Sequence, residues 1–203
     1  MVSDEGQSAR YVVGLGNPTR QYERTRHNVG FRVLAALRRR WLASPGRSAF
    51  SSRLDDVKVE RAGQVRRVFL LEPHTYMNRS GQAVRALAAF YKAQPSQILV
   101  VLDDLALEVG RLRVRPDGSA GGHNGLADVL AAMGTSELAR LRIGIGQAPP
   151  PMDAADYVLS AFSPGEEELI GPAVERAAQA VEDWLFLGTT KVMEKYNAKG
   201  QES

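Results

Sequence analysis

Hydrophobic residues in this chain occur in two patterns that alternate along the sequence. Some form short continuous runs, and others recur at the spacing of one face of a helix. The short runs predict buried strands, which lie at 11–15, 57–60, 65–71, 98–102, 112–115 and 141–145. Apolar residues spaced as on one face of a helix follow Asn28, Ser80, Gly125 and Ser163, and they predict four helices. Because strands and helices alternate, the pattern predicts an α/β fold.

Polar residues, proline and glycine mark the connections between these elements. Ser44-Pro45-Gly46 ends the first helix, and the polar residues 47–56 are predicted to form a loop. Residues 118–125 form a glycine-rich loop. Ser163-Pro164 and the acidic residues after it favour a helix start, and we expect that helix to bend at Gly171-Pro172.

The chain has the size and composition of one globular domain. Its 203 residues are 44% hydrophobic and 24% charged, which suits a single hydrophobic core. No internal repeat or long linker divides it. We therefore expect one catalytic domain over residues 11–197, preceded by a disordered tail at 1–10 and followed by a C-terminal tail at 198–203.

Several classes of protein are excluded by what the sequence lacks. It has no cysteine, so disulfides, thiolate metal sites and a cysteine nucleophile are excluded. It has no apolar run of membrane-spanning length, and residues 1–10 are polar, unlike a secretory signal. We expect a cytoplasmic protein with no membrane association.

The small net charge of +3 conceals an uneven distribution. Residues 1–150 carry 22 Lys and Arg against 13 Asp and Glu, whereas residues 151–203 carry 4 against 10. Of the 26 cationic residues, 21 are arginine, which binds phosphate in a bidentate manner. An arginine-rich codon bias would produce the same count, so the charge gives modest support to nucleic-acid binding.

Polar side chains follow several of the predicted strands. Sites in open α/β sheets gather beyond the carboxyl ends of the strands. The side chains in such positions are Asn17, His27, Asn78, Asp103, His123 and Asn124.

His27 is the best candidate for a general base. It stands just before a helix, where the positive end of the dipole disfavours imidazolium and keeps the ring able to accept a proton. Asp103 is the best candidate to bind the other ring nitrogen and stabilise the charge that develops. On the local pattern alone, a helix-capping or surface histidine is the favoured interpretation.

Other chemistries fit the sequence less well. Asp103 and Asp104 could hold magnesium in a nuclease, although a strand-ending turn explains Asp104 equally well. Gly14 and Gly16 lack the third glycine and the later acidic residue of a dinucleotide site. Without a cysteine or a Gly-x-Ser-x-Gly elbow, a His–Asp pair surrounded by amides favours water as the nucleophile.

Successive motifs resemble those of the bacterial peptidyl-tRNA hydrolase family, in the same order and at the same spacing over residues 11–197. They are Gly14-Leu15-Gly16-Asn17-Pro18, Tyr22, Thr25-Arg26-His27-Asn28-Val29-Gly30-Phe31, Thr75-Tyr76-Met77-Asn78, Ser80-Gly81, Asp103-Asp104-Leu105, Gly121-Gly122-His123-Asn124-Gly125-Leu126, Arg140-Leu141-Arg142-Ile143-Gly144-Ile145-Gly146 and Tyr157-Val158-Leu159-Ser160 with Phe162. The resemblance implies a single domain built on a twisted mixed sheet flanked by helices.

The resemblance also implies roles for individual residues. His27 would be the general base, Asp103 would orient it, and Asn17 would contact the peptide and separate N-blocked from free aminoacyl-tRNA. Met77 and His123 would shape the cleft. The residues expected to contact substrate near the ester are Tyr22, Tyr76, Asn78 and Asn124.

The substrate implied is peptidyl-tRNA, bound through its acceptor end, its 5′-phosphate and its nascent peptide. Arg115 and Arg142 match positions that hold the 5′-phosphate, the first as Arg where Lys is usual. The resemblance implies a monomer that needs neither metal nor cofactor. A non-catalytic RNA-binding protein of the same fold is the alternative, and the presence of His27, Asp103, Asn17 and Asn78 favours the enzyme.

The chain departs from the family pattern at three places. Residues 105–109 lack the usual acid and proline, Pro116-Asp117 enters a loop that is mostly glycine in the family, and residues 148–151 form an unusual Ala-Pro-Pro-Pro turn. None of these changes a predicted catalytic group, although Asp117 could weaken the local attraction for phosphate.

Overall fold

The computed structural model describes residues 9–198, and the predicted tails at 1–8 and 199–203 lie outside these residues. Arg10, expected in the N-terminal tail, already belongs to the first strand. Seven strands are present in this range: β1 Arg10–Gly14, β2 Arg47–Ala49, β3 Ser52–Arg61, β4 Gln64–Pro73, β5 Ile98–Asp104, β6 Leu112–Arg115 and β7 Ala139–Gly144. The α-helices are α1 Val29–Arg40, α2 Ser80–Tyr91, α3 Asn124–Met133, α4 Ala154–Leu159 and α5 Pro164–Tyr196.

The strands form one mixed sheet in the order β2-β3-β4-β1-β5-β7-β6. The central strands β4, β1, β5 and β7 run parallel, and the antiparallel strands lie toward the two edges. Parallel strands place their carboxyl ends at one edge of the sheet. The topology therefore gathers the segments that follow β1, β4, β5 and β7, and the predicted mixed α/β sheet is confirmed.

Helices cover both faces of the sheet, so the fold has three layers. On one face, α1 and α5 pack on the sheet around Leu34 and the fully buried Trp184. On the other face, α2 and α3 pack together around Leu87 and Leu126. Within residues 9–198, no helix is both long enough and apolar enough to cross a membrane.

The prediction of a loop at 47–56 is wrong, because this segment contains β2 and the first half of β3. The polar sequence conceals a strand because Asp55 points inward and is buried. Its charge is compensated by Arg38, whose Nε donates to Asp55 Oδ2 at 2.7 Å. The turn at Phe50-Ser51 also lacks glycine, although both residues have positive φ angles of 55° and 52°.

The last helix is not interrupted where the sequence predicted. Pro172 lies within α5 on its exposed side, and the backbone leaves helical angles only at Gly188, with φ 79° and ψ 173°. The segment after Gly188 is held by Asp183, which accepts hydrogen bonds from Lys195 and Tyr196, each at 2.8 Å. The short helix α4 was not predicted from the sequence.

Candidate active site

A cavity of about 350 Å³ opens at the carboxyl edge of the central strands. Its walls come from the segment before α1, the end of β5, the glycine-rich loop before α3, and α4. The lining side chains that carry chemistry are His27, Asp103, Asp104, His123, Asn124 and Arg142. Three residues of α4, Ala154, Ala155 and Val158, form an apolar wall.

The structure pairs His27 with Asp103. A short 3₁₀ turn at Arg26–Asn28 holds the ring, and His27 Nδ1 lies 2.9 Å from Asp103 Oδ1 and 3.0 Å from Oδ2. A carboxylate can only accept, so Nδ1 carries the proton in this pair and Nε2 keeps its lone pair. Both side chains are largely buried, so Asp103 fixes the ring in the form that can accept a proton.

Asp103 also binds His123, which the sequence analysis assigned only to shaping the cleft. The His123 Nδ1 caps α3 by accepting the Leu126 N–H at 3.1 Å. The proton of a neutral His123 therefore sits on Nε2, which donates to Asp103 Oδ1 at 2.9 Å. Burial alone would raise the pKa of Asp103, but the charges and hydrogen bonds of His123 and His27 outweigh it and hold that pKa well below the usual range.

These three side chains also have the spacing of a metal site. Their potential ligand atoms all lie within 4.8 Å of one another. The hydrogen-bonding pattern opposes this use, because His123 presents a proton to Asp103 while its lone pair is taken by the Leu126 N–H. The arrangement fits a carboxylate shared by two histidines better than a set of metal ligands.

Asn17 is held by a network that leaves its amide group available as a donor. Asn28 binds the Asn17 backbone on both sides, accepting from its N–H at 2.8 Å and donating to its carbonyl at 2.9 Å. The Asn17 Oδ1 accepts the Met77 N–H at 2.8 Å. Among residues 9–198, no hydrogen-bond partner is found for Asn17 Nδ2, so this NH₂ group can donate to a ligand.

Asn28 is a site residue that the sequence analysis missed. It was predicted to cap α1, but its side chain makes no capping hydrogen bond and instead holds Asn17. One feature of the sequence could have indicated its role: Asn28 directly follows the candidate base and lies inside a motif of the family.

Two of the remaining candidate substrate contacts, Tyr76 and Asn78, flank Met77, which is buried. Its Sδ lies so close to Gly125 that a Cβ at that position would clash, so this glycine lets the 77–79 turn pack on α3. Asn78, Tyr76 and Asn124 are exposed, and Tyr22 is half-buried in the segment after β1. These four side chains are thus accessible to a ligand.

The two arginines predicted to hold phosphate lie on one face of β6 and β7. Arg115 pairs in register with Arg140, and Arg142 pairs with Arg113, so Arg115 and Arg142 are diagonal neighbours about 7–8 Å apart. Arg142 is already engaged, because it donates to Asp104 Oδ2 at 3.0 Å and to the Ser119 carbonyl at 3.1 Å. Arg115 is exposed at the end of β6.

The sequence model of the family described as Peptidyl-tRNA hydrolase matches residues 11–203 of this chain. The chain belongs to the peptidyl-tRNA hydrolase family. It is 46% identical over 190 residues to the peptidyl-tRNA hydrolase of Gloeobacter violaceus, covering 94% of each chain. It is 48% identical over 187 residues to that of Chloroflexus aggregans, covering 92% of this chain and 97% of the relative.

Solved structures agree with this assignment. The crystal structure of peptidyl-tRNA hydrolase from Acinetobacter baumannii superposes with a TM-score of 0.84 at 32% identity, covering 96% of this chain and 97% of that one. The predicted family, fold and enzyme class are confirmed. The protein is a hydrolase of the peptidyl-tRNA hydrolase family, which goes against the alternatives of a nuclease and of a non-catalytic RNA-binding protein.

Proposed function

We propose that this enzyme hydrolyses the ester between peptide and tRNA with a water molecule activated by His27, without a covalent intermediate. The products are free tRNA and peptide, recycled after premature release from the ribosome. One observation carries the proposal: His27 is hydrogen-bonded to a buried carboxylate inside the cavity, and its Nε2 has no hydrogen-bond partner within residues 9–198. The chain supplies the complete set of groups, so we propose that it acts as a cytoplasmic monomer.

The chemistry follows from the hydrogen-bond directions. His27 Nε2 takes a proton from water, and the water oxygen attacks the ester carbonyl carbon. Asp103 stabilises the imidazolium that forms. The imidazolium then returns the proton to the 3′ oxygen of the ribose as the carbon–oxygen bond breaks, which leaves a peptide carboxylic acid and a free 3′ hydroxyl.

Amide donors support the transition state. The NH₂ group of Asn17 has no protein partner among the described residues. Asn28 holds the Asn17 backbone, and the Met77 N–H holds its Oδ1. Asn78 and Asn124 are accessible nearby. Donors held in place before the reaction stabilise an oxyanion because they need not reorganise. Asn17 would also contact the peptide, so that a blocked amino group is accepted and a charged one is not.

The composition of the cavity supports water as the nucleophile. The residues recorded in its lining include no serine, threonine or cysteine, and the chain has no cysteine. A covalent acyl-enzyme needs a nucleophile within hydrogen-bond reach of the base. The lining groups near His27 are instead carboxylates, amides, glycines and an arginine.

Arginines without an ion-pair partner among the described residues offer contacts for the acceptor end. Along α1, Arg32, Arg38 and Arg39 form ion pairs with acidic residues. Many other arginines form no ion pair within residues 9–198. Among them, Arg20, Arg24 and Arg79 lie on segments at the cavity edge of the sheet, and Arg115 lies on β6. Arg115 lies opposite Arg140 near the start of β7, two residues along β6 from the partner of Arg142, which lines the cavity. The two arginines could therefore hold a phosphate beside the ester site.

The test is His27→Ala, with turnover measured on N-acetyl-aminoacyl-tRNA and on its unblocked form. We expect the rate to fall at least ~10²-fold, since a general base contributes this much, while tRNA binding and the fold persist. His74→Ala is the matched control, because His74 is an exposed histidine whose side chain, within residues 9–198, forms a hydrogen bond only to Glu72, at 3.4 Å. Near wild-type turnover by the His27 variant would refute the proposal.

A further inference from the structure

Arg26 precedes the candidate base in the chain and is buried, yet the proposed mechanism gives it no role. Its guanidinium forms a bidentate ion pair with Glu166, at 2.8 Å and 2.9 Å. The group is also stacked between aromatic rings, 4.1 Å from the centre of Tyr157 and 4.7 Å from that of Phe162. Planar pairing and stacking of this kind are specific to arginine.

The backbone around Arg26 is tied to the same segment. The Arg26 N–H donates to the Ser160 carbonyl at 3.0 Å, and Nε donates to the Ser160 hydroxyl at 3.2 Å. Thr25 and Ala161 form an isolated antiparallel bridge. The 3₁₀ turn that carries His27 is therefore joined to residues 157–166 by side-chain and backbone contacts together.

The segment joined to Arg26 forms one wall of the cavity. Val158 and two alanines of α4 line the space opposite the glycine-rich loop, and Tyr157 anchors the helix by donating from its hydroxyl to the Ile145 carbonyl at 2.8 Å. Arg26 thus lies between the base on one side and the α4 wall on the other.

We infer that Arg26 is a positioning residue that holds His27 and the α4 wall as one unit, so that water and ester meet the base at a fixed distance. This inference rests on the proposed role of His27. A buried ion pair is a poor way to gain stability alone, because removing its charges from water costs about as much as the attraction returns. When all of its hydrogen-bonding groups have partners, such a pair makes the surrounding segments rigid.

The Arg26–Glu166 pair is ionised near neutral pH. Hydrogen bonds from Arg26 lower the pKa of Glu166 to about 2, against a smaller opposing effect of burial, and the Ser163 backbone contributes further. The link to α4 therefore does not switch with pH near neutrality, and any effect of breaking it must be produced by substitution.

The chain contains a matched control for this pair. Arg32 binds Glu167, the next residue of α5, in the same bidentate way at 2.9 Å and 2.7 Å. That pair joins α1 to α5. Arg32 lies 5.7 Å from the centre of the Phe162 ring, but within residues 9–198 its side chain forms hydrogen bonds only to Glu167 and none to the turn that carries His27. Substitutions in the two pairs remove the same chemistry from adjacent places.

The test compares Arg26→Lys and Glu166→Gln with Arg32→Lys and Glu167→Gln. Glu166→Gln should keep the helix cap that Glu166 forms with Ser163, since glutamine serves in a capping box, so it tests the pair even where Arg26→Lys folds poorly. We expect kcat of both Arg26–Glu166 variants to fall about tenfold or more, since a displacement of about 1 Å can cost about 10²-fold. Affinity for deacylated tRNA should stay within about twofold, and the control variants should keep kcat.

Lower thermal stability with kcat at 25 °C within about twofold of wild type would overturn the inference, because it would show a purely structural pair. An equal loss of kcat in the control variants would overturn it as well. Failure of the underlying mechanism is separately visible: an active His27→Ala enzyme refutes the proposed base, whereas an inactive one with fully active Glu166→Gln refutes only the role of Arg26.

Discussion

Replacing Asp103 by asparagine tests the centre of the site with almost no change of shape. The carboxylate accepts from His27 through both oxygens and from His123 through Oδ1. In Asp103→Asn the amide oxygen would stay with the His123 Nε2 proton, which places the NH₂ group 3.0 Å from His27 Nδ1. Two donors then face each other unless His27 moves its proton to Nε2, and that tautomer cannot accept a proton from water.

The size of the effect follows from the lost charge. Two unit charges roughly 4 Å apart attract by about 4 kcal/mol at an effective dielectric constant of about 20. At about 1.4 kcal/mol for each tenfold change in rate, stabilisation of the imidazolium corresponds to about 10³-fold. We expect kcat to fall by about this factor, while substrate affinity changes little, because Asp103 is buried and its recorded contacts are with histidines.

The assay is single-turnover hydrolysis of N-acetyl-aminoacyl-tRNA, with deacylated tRNA binding and thermal unfolding measured beside it. Asp56→Asn is the control, since it makes the same carboxylate-to-amide change in an exposed pair with Arg67. A rate near that of wild type would refute the reasoning. Loss of tRNA affinity with an unchanged rate per bound complex would make Asp103 a binding residue instead.

Two further predictions concern charges outside the catalytic pair. If Arg115 and Arg142 together hold the 5′-phosphate, Arg115→Ala with Arg142→Ala should weaken tRNA binding and flatten its salt dependence by one or two counterions, at ~0.7–0.9 in slope for each. A blocked aminoacyl ester of a short 3′-end oligonucleotide should be hydrolysed almost normally, and equal losses on both substrates across a salt series would contradict this role. Asp183→Asn should lower the free energy of unfolding at pH 7 by about 3–5 kcal/mol, the range for breaking a buried ion pair, because Asp183 is fully buried and binds Arg61 at 2.6 Å. Burial opposes ionisation of Asp183, but hydrogen bonds outweigh it and lower the pKa of this carboxyl. The stabilisation is therefore present above the ordinary aspartate pKa of about 3.9 and is lost as the pH falls below that value. Urea unfolding of the wild type and the variant at neutral and acid pH measures the difference, and equal stability of the two proteins at pH 7 would contradict the prediction.

The sequence pattern predicted the local elements well where burial is simple. Runs such as 98–102 are apolar on both faces because parallel strands under two helical layers are buried on both faces. The antiparallel edge was harder to predict. Asp55 is buried at the position where alternation demands an apolar residue, and only its pairing with Arg38 makes that tolerable.

The site shows the same division. His27 and Asp103 were predicted from a helix start and a strand end, which are local features. The role of His123 depends on a hydrogen bond from Leu126 and another to Asp103, and no local feature indicates both. Arg142 was predicted to hold phosphate, and the sequence did not indicate that it also binds Asp104 and the Ser119 carbonyl.

The sequence by itself determined the class of the fold, the family and the residue types available for catalysis, because periodicity, turn chemistry and motifs are properties of neighbouring residues. The tertiary structure alone decided which groups meet. Arg26 and Glu166 are joined across the chain, and so are Asn17 and Met77. The order of the strands and the packing of the helices on the sheet determine which residues come into contact. Because these residues are remote in sequence, no local pattern predicts that they meet.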